Sequence, residues 1–390
     1  MINWINFLHI YQPPKQNEHI FHEVARESYF EIVKFFDLYD GINLTMNLSG
    51  SLLEQLVEYH YDKLLEDFAR AFANEEIELV GSAMYHPILP LLPDAEIERQ
   101  ILLDEQIKKN IFGEKYERRG FYLPEMAYSR RCAEALERMG FAWIILDEIS
   151  YNGKLDSFDK EKVFRIKGLK LKVIFRDRGI SDLFVPEKIN EISEAATGGD
   201  RNIITATDGE LYGHHHHDFY HKTKEAFTDG HIRSLKISEF MEGFNAEDLE
   251  EVDPVNSNWE STEEELAKNI PFSYWDLPGN LIQEKLWEFA DFAIAEIEKC
   301  EADENYRISR RLLDKGLSSC HFWAASGKKS TIWQDTIWNP DMIENGNMFL
   351  IQAMRSIRKL ETSKRMEAEG RYSEITKNIW SRHWNEFYRS

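Results

Sequence analysis

The chain has 390 residues, enough for a large α/β barrel and a second domain, with an ordinary 43% of hydrophobic residues. Its formal net charge of −22 repels phosphate backbones and so speaks against nucleic acid as a partner, while leaving a neutral sugar polymer unaffected. No run approaches the roughly 18 apolar residues of a membrane span, and Met1-Ile2-Asn3-Trp4 shows no basic segment leading into an apolar one, so no secretory signal is expected. Three widely spaced cysteines, Cys132, Cys300 and Cys320, suit reduced thiols in the cytosol.

Short apolar runs alternate with helical patterns over the first two-thirds of the chain. The predicted strands are Trp4–His9, Ile42–Met46, Ile77–Val80, Gly120–Leu123, Trp143–Leu146, Leu171–Phe175 and Ile203–Thr207. The predicted helices among them are Ser51–Asn74, Ala95–Phe112 and Arg131–Met139. Such alternation implies βαβ units and a parallel sheet, and about seven units suggest a barrel. Val163–Ile166 and Leu171–Phe175, around Lys167-Gly168, read as a hairpin; Leu171–Phe175 would then be an excursion and not a barrel strand. Beyond the polar stretch Asn256–Lys268, the segments Leu281–Lys299, Glu304–Lys315 and Met342–Lys359 read as amphipathic helices. The expected division is a catalytic barrel over 1–260 and a helical domain over 261–390.

Four clusters fall at strand exits, the face that carries active sites in βα barrels. In the first, His9-Ile10-Tyr11-Gln12-Pro13-Pro14, His9, Tyr11 and Gln12 offer donors and acceptors for sugar hydroxyls, or make an ordinary polar loop. In the second, Gly81–Pro90, three prolines at 87, 90 and 93 stiffen a loop that displays Tyr85 and His86, or simply connects two elements. In the third, Glu125 follows an apolar strand and Pro124, beside Tyr122 and Tyr128. It suits a glycosidase nucleophile, although spacing alone favours a carboxylate at a helix N-terminus with Pro124 near the first position. The fourth, Thr207-Asp208-Gly209-Glu210-Leu211-Tyr212-Gly213-His214, places two carboxylates that face the same way if the strand continues; an Asp-Gly turn is the plain alternative. The run His214–His217 raises a metal site, but consecutive histidines diverge on regular backbone, and no metal is predicted.

Together these clusters resemble glycoside hydrolase family 57, the family of α-amylases, 4-α-glucanotransferases and branching enzymes. His9–Pro13 is similar to its first motif, Gly81–Leu92 to its second, Leu123-Pro124-Glu125 to its third and Asp208–His214 to its fourth. Trp275–Asn280 with Leu286-Trp287, and Ser319–Ser326, are similar to later stretches. The resemblance implies a (β/α)7 barrel followed by a helical region, no cofactor, and an oligo- or polysaccharide partner, α-1,4-linked glucan. It implies retention of configuration with Glu125 as nucleophile and Asp208 as general acid/base. His9, Gln12, Tyr85, His86, Glu210 and His214 become candidate substrate contacts, and Tyr128, Trp275 and Trp323 candidate stacking faces. Tyr11 departs from the family pattern, which has a second histidine there, and the chain is shorter than characterised members. The rival readings are a metal-dependent deacetylase-like or α-mannosidase-like enzyme using the histidine run, and a glucan-binding protein without catalysis.

Overall fold

A computed structural model describes residues 1–388 except 40, 197–198, 215–218 and 331–334. The chain divides into two units, one of residues 1–84 and 89–266, the other of residues 85–88 and 267–390.

Among the described residues the first unit holds ten strands: β1 Ile2–Ile10, β2 Leu44–Leu48, β3 Ile77–Leu79, β4 Gly120–Tyr122, β5 Trp143–Asp147, β6 Phe164–Ile166, β7 Lys172–Arg176, β8 Arg201–Asp208, β9 Ile232–Leu235 and β10 Glu251–Val252. They form two five-stranded sheets. One runs β3-β2-β1-β8, with β9 also pairing β1, and the other runs β10-β6-β7-β5-β4. All pairings are parallel except β6 with β7. As named ladders the sheets are not closed on each other, although single links join them: Gly81 bridges Phe121, and the Asp177 amide donates to the Ile204 carbonyl at 2.8 Å.

The strands of β1, β2 and β5 are buried along nearly their whole length, as parallel strands covered on both faces must be. Phe7, Ile5, Tyr122, Ile145, Ile174 and Ile204 fill one core cluster. Leu8, Ile10, Met46, Leu48, Leu52 and Phe68 belong to another.

Three local expectations change. Ser51–Asn74 is two helices, Gly50–Glu58 and Asp62–Ala73, because His60 takes a left-handed φ of 59° that no α-helix continues through. The β6–β7 hairpin forms, yet β7 also pairs parallel with β5 over five residues, so it is a full sheet member. β9 and β10 had no sequence signal; Ile232–Leu235 carries arginine and serine, and β10 is two residues long.

The second unit is helical. Its main helices are Leu281–Glu298, Tyr306–Gly316, Pro340–Ser356 and Thr362–Arg382. Asn280 and Asn339 cap two of them through their side chains, with Pro340 in the first turn of the second. Phe289, Ala293, Leu313, Leu350 and Ile351 are buried. Among the described residues, no helix is long and apolar enough to cross a membrane.

Candidate active site

The C-terminal ends of three strands set the first row of side chains. His9 on β1 lies in register with Asn47 on β2 and Asp208 on β8. Residues directly opposite in a ladder point to the same face, so the three side chains share one. The buried His9 ring stacks on Tyr122 at 4.5 Å and on Tyr11 at 5.8 Å, and meets the edge of Trp259 at 6.4 Å. Asn47 Nδ2 lies 2.9 Å from His9 Nδ1. Tyr122 is the last residue of β4, so this stacking brings the β4 exit to the β1 exit.

Glu125 follows on a one-turn 3-10 segment, Pro124–Met126. Its φ of 58° and that of Met126, 48°, put two consecutive non-glycine residues in the left-handed region, at a cost of about 1–3 kcal/mol each. The segment 257–259 holds them there. The Trp259 amide donates to the Glu125 carbonyl at 3.2 Å, and the Tyr128 amide donates to the Ser257 carbonyl at 2.8 Å. The next helix begins only at Arg130, capped by Ser129. Pro124 thus opens a helical turn that holds Glu125, as the plainer alternative expected, but the turn is a single 3-10 one with left-handed backbone at Glu125 and not the start of an α-helix.

β8 ends at Asp208, and Gly209–Leu211 forms a 3-10 turn. Asp208 and Glu210 are thus not adjacent same-face positions of one strand, as an extended continuation required. Gly209 is needed for space, since a Cβ there would lie 2.8 Å from Ile10 Cγ1. Glu210 instead meets a single π-turn, Ala25–Tyr29, an irregularity frequent at functional sites. From it Tyr29 donates its hydroxyl to Glu210 Oε1 at 2.6 Å and Ser28 donates to the Gly209 carbonyl at 2.7 Å. Gln12 Nε2 reaches Tyr29 at 2.7 Å and Glu210 at 3.2 Å. His214 Nδ1 lies 2.8 Å from Glu27 Oε2, on the same turn.

The electrostatics follow from crowding of like charges. Desolvation raises the Asp208 pKa well above the usual carboxylate value, and the charges of Glu210, Glu125 and Glu260 raise it further against the opposing Arg176. Burial raises Glu210 to about 7 despite the bonds from Tyr29 and Gln12. Tyr122 is raised by burial and then by Glu125 and Asp208 together, so both carboxylates act on one phenol. The buried Arg176 donates to Asp147 at 2.7 Å, to the Ala206 carbonyl at 3.0 Å and to Asp182 at 3.0 Å, and its guanidinium lies 5.5 Å from the Trp259 ring centre. Burial and neighbouring negative charge thus favour the protonated form of Asp208.

The first unit thus gathers His9, Gln12, Glu125, Asp208 and Glu210, with His214 nearby on Glu27. Tyr128 is fully buried and offers no open ring face. Tyr85 and His86 belong to the second unit, both buried. There His86 Nδ1 meets Ser319 Oγ at 3.1 Å, and Lys315 lies over the Tyr85 ring at 5.6 Å. Trp275, also in that unit, is fully buried, whereas Trp323 keeps some exposed surface. His215–His217 lie outside the described residues, and among the described ones no group of three or more potential ligands could hold a metal ion. Sequence reasoning missed Tyr29, Arg176, Trp259 and Glu260. Tyr29 sits in a stretch to which no element or motif was assigned, and Trp259-Glu260 in one read as polar; a tryptophan beside an acid there was the available signal.

The model of glycosyl hydrolase family 57 matches residues 2–253. The chain is 24% identical over 328 residues to a 4-α-glucanotransferase of Thermococcus kodakarensis, covering 79% of this chain and 47% of that protein. It is 23% identical to an α-amylase of Pyrococcus abyssi, covering 79% and 46%. It spans about half the length of these curated relatives. Among solved structures, the 4-α-glucanotransferase of Thermococcus litoralis superposes with a TM-score of 0.68 at 16% identity, covering 92% of this chain and 60% of that one. The branching enzyme of Pyrococcus horikoshii does so with a TM-score of 0.67 at 16% identity, covering 97% and 95%; at such identities the likeness is one of fold. With the family model spanning well over half of its length, this chain belongs to glycosyl hydrolase family 57.

Proposed function

We propose that the chain is a retaining enzyme of α-1,4-linked glucan, with Glu125 as nucleophile and Asp208 as general acid/base. The observation that carries this reading is the pair of carboxylates at two strand exits that the His9 ring joins, in register with Asp208 on one side and stacked on Tyr122, three residues before Glu125, on the other. Retention requires carboxyl groups about 5–5.5 Å apart, and that is the separation proposed for Glu125 and Asp208. Glu125 attacks the anomeric carbon while Asp208 gives its proton to the leaving oxygen. Once Glu125 is covalently bound its charge is gone, the Asp208 proton is held less tightly, and Asp208 takes a proton from the incoming acceptor. Glu210, held by Tyr29 and Gln12, strengthens the hold on the Asp208 proton whenever it is ionised. His9, Gln12 and His214 contact sugar hydroxyls.

In this reading the two sheets are arcs of one (β/α)7 barrel, joined at Gly81–Phe121 and Asp177–Ile204, and the catalytic domain is 1–260 with a helical domain at 261–390. Buried Cys132 and Cys320 thiols fit a reducing compartment. Relatives bear the names of transferases and amylases, and water or a sugar hydroxyl can complete the second step. Product analysis after incubation with maltooligosaccharides and amylose decides between them. Longer chains indicate transfer, new branch points branching, and reducing ends alone hydrolysis. No turnover of any α-glucan across a wide pH range, with oligosaccharide still bound, would overturn the proposal. So would loss of turnover on removal of a stoichiometric metal.

A further inference from the structure

Behind His9 lies a polar chain that the reaction does not touch. Lys108 is completely buried. Its Nζ reaches Asp104 Oδ2 at 2.7 Å, the Val80 carbonyl at 2.8 Å and Asn47 Oδ1 at 3.3 Å. Asp104 is engaged on both oxygens: Oδ1 accepts from the Gly50 amide at 3.1 Å and Oδ2 from the Ser82 amide at 2.9 Å. Asn47 then stands 2.9 Å from His9 Nδ1.

The chemistry of donors fixes the sense of this chain. Three acceptors surround Nζ, matching the three N–H bonds of an ammonium; a neutral amine would turn a lone pair toward one of them. Burial pulls the Lys108 pKa down, and the Asp104 carboxylate opposes that. An ammonium has no acceptor, so the Asn47 atom facing Lys108 must be its oxygen. The Asn47 nitrogen therefore faces His9, and Nδ1 must accept. A ring nitrogen that accepts carries no proton, so the proton of His9 sits on Nε2.

We propose that Lys108 is a positioning residue which, through Asn47, holds His9 as a neutral imidazole that presents an Nε2–H donor at the β1 exit. The device explains why a costly buried charge stands behind the strand ends: a group with donors and no acceptor allows Asn47 a single orientation. A sugar hydroxyl or developing negative charge at the site then meets a donor whose direction is set before substrate arrives. The role in turnover rests on the function proposed above. The tautomer does not, and it is measured without substrate.

The test is 15N NMR of histidine-labelled protein, with the His9 signals assigned by their loss in His9→Gln. In the wild type at neutral pH, Nδ1 is expected at the far-downfield position of an unprotonated nitrogen and Nε2 to carry the proton. A protonated Nδ1 overturns the proposal. Asn47→Asp keeps a partner for Lys108 and turns the group facing Nδ1 into a pure acceptor. His9 should then take a proton on Nδ1, and an unchanged spectrum in the folded variant overturns the proposal. The double variant Asp104→Asn, Lys108→Met removes the ion pair without leaving a lone buried charge. Folded, it should show both His9 tautomers, and retention of Nε2–H alone would show that Lys108 does not set the proton. If the double variant fails to fold, the wild type and Asn47→Asp decide. In Asn47→Asp, α-glucan turnover should drop in kcat more than KM rises, by at least tenfold. If instead no variant and no wild type turns over glucan, the function falls while the spectra still judge the tautomer.

Discussion

At the scale of single residues, the site separates its carboxylates by surroundings and not by type. Glu125→Gln should abolish turnover, because an amide is neither a nucleophile nor a competent ester partner. Asp208→Asn should lose most of its rate on amylose yet keep the first step with an activated aryl glycoside, whose leaving group needs little protonation. Azide should then release the trapped intermediate as an α-glycosyl azide, identified by NMR. Full activity of Asp208→Asn on amylose would move the acid/base role to Glu210. Glu210 also makes a pH prediction. Its folded pKa of about 7 lies above its unfolded value, so the native state favours the protonated form. The stability it allows is complete below about pH 4.5 and is lost as pH rises through 7. Glu210→Gln keeps an oxygen for Tyr29 without the charge. It should match the wild type in denaturant unfolding near pH 4 and exceed it by about 1–3 kcal/mol above pH 7. In kcat/KM, losing that charge should lower the Asp208 pKa and move the alkaline limb to lower pH.

Elements show where sequence speaks and where it falls silent. β1, β5 and β8 were readable because hydrophobic runs such as Trp143-Ile-Ile-Leu146 are what fully buried parallel strands require. Asp208 at the exit of β8 and Glu125 beyond the exit of β4 were readable because each follows an apolar run. Tyr29 was not, because its place depends on a π-turn, and no periodicity announces one extra residue in a helical turn. The break at His60 was hidden likewise, since a histidine is not a residue that marks left-handed backbone. Lys108 looked like one of the lysines on an amphipathic helix; only its burial shows otherwise. In the second unit a small residue carries a strong constraint. A Cβ at Gly346 would lie 2.5 Å from His321 Cβ, and both ring nitrogens of His321 are engaged, with the Met342 carbonyl at 3.1 Å and the Lys315 carbonyl at 3.2 Å. The ring therefore cannot step aside without giving up bonds to buried carbonyls. Gly346→Ala, favourable for an isolated helix, should instead destabilise by about 1–3 kcal/mol in urea unfolding. A stabilised variant would mean that the helix Pro340–Ser356 moves to absorb the methyl group.

For the whole molecule, composition gave the sign of the field but not where it acts. The net charge of −22 arises from 69 acidic and 47 basic residues, and much of the basic set is already paired in exposed ion pairs such as Arg355 with Glu369 at 2.7 Å and Lys188 with Glu191 at 2.8 Å. Salt acts on both terms. It weakens exposed pairs, worth about 0–1 kcal/mol each, and it screens the repulsion among acids left in excess. Repulsion is the longer-ranged of the two, so it responds first as the Debye length falls from about 30 Å at 0.01 M to about 10 Å at 0.1 M. Buried pairs such as Arg176 with Asp147 sit out of reach of ions and change little. The melting temperature should therefore rise between 10 and 100 mM sodium chloride, by about 1 °C if the relief is near 1 kcal/mol. A neutral maltooligosaccharide feels no part of this field, so its KM should stay constant over the same range. A falling melting temperature would mean that the paired charges outweigh the excess, and a KM that rises steeply with salt would point to a charged substrate and away from glucan.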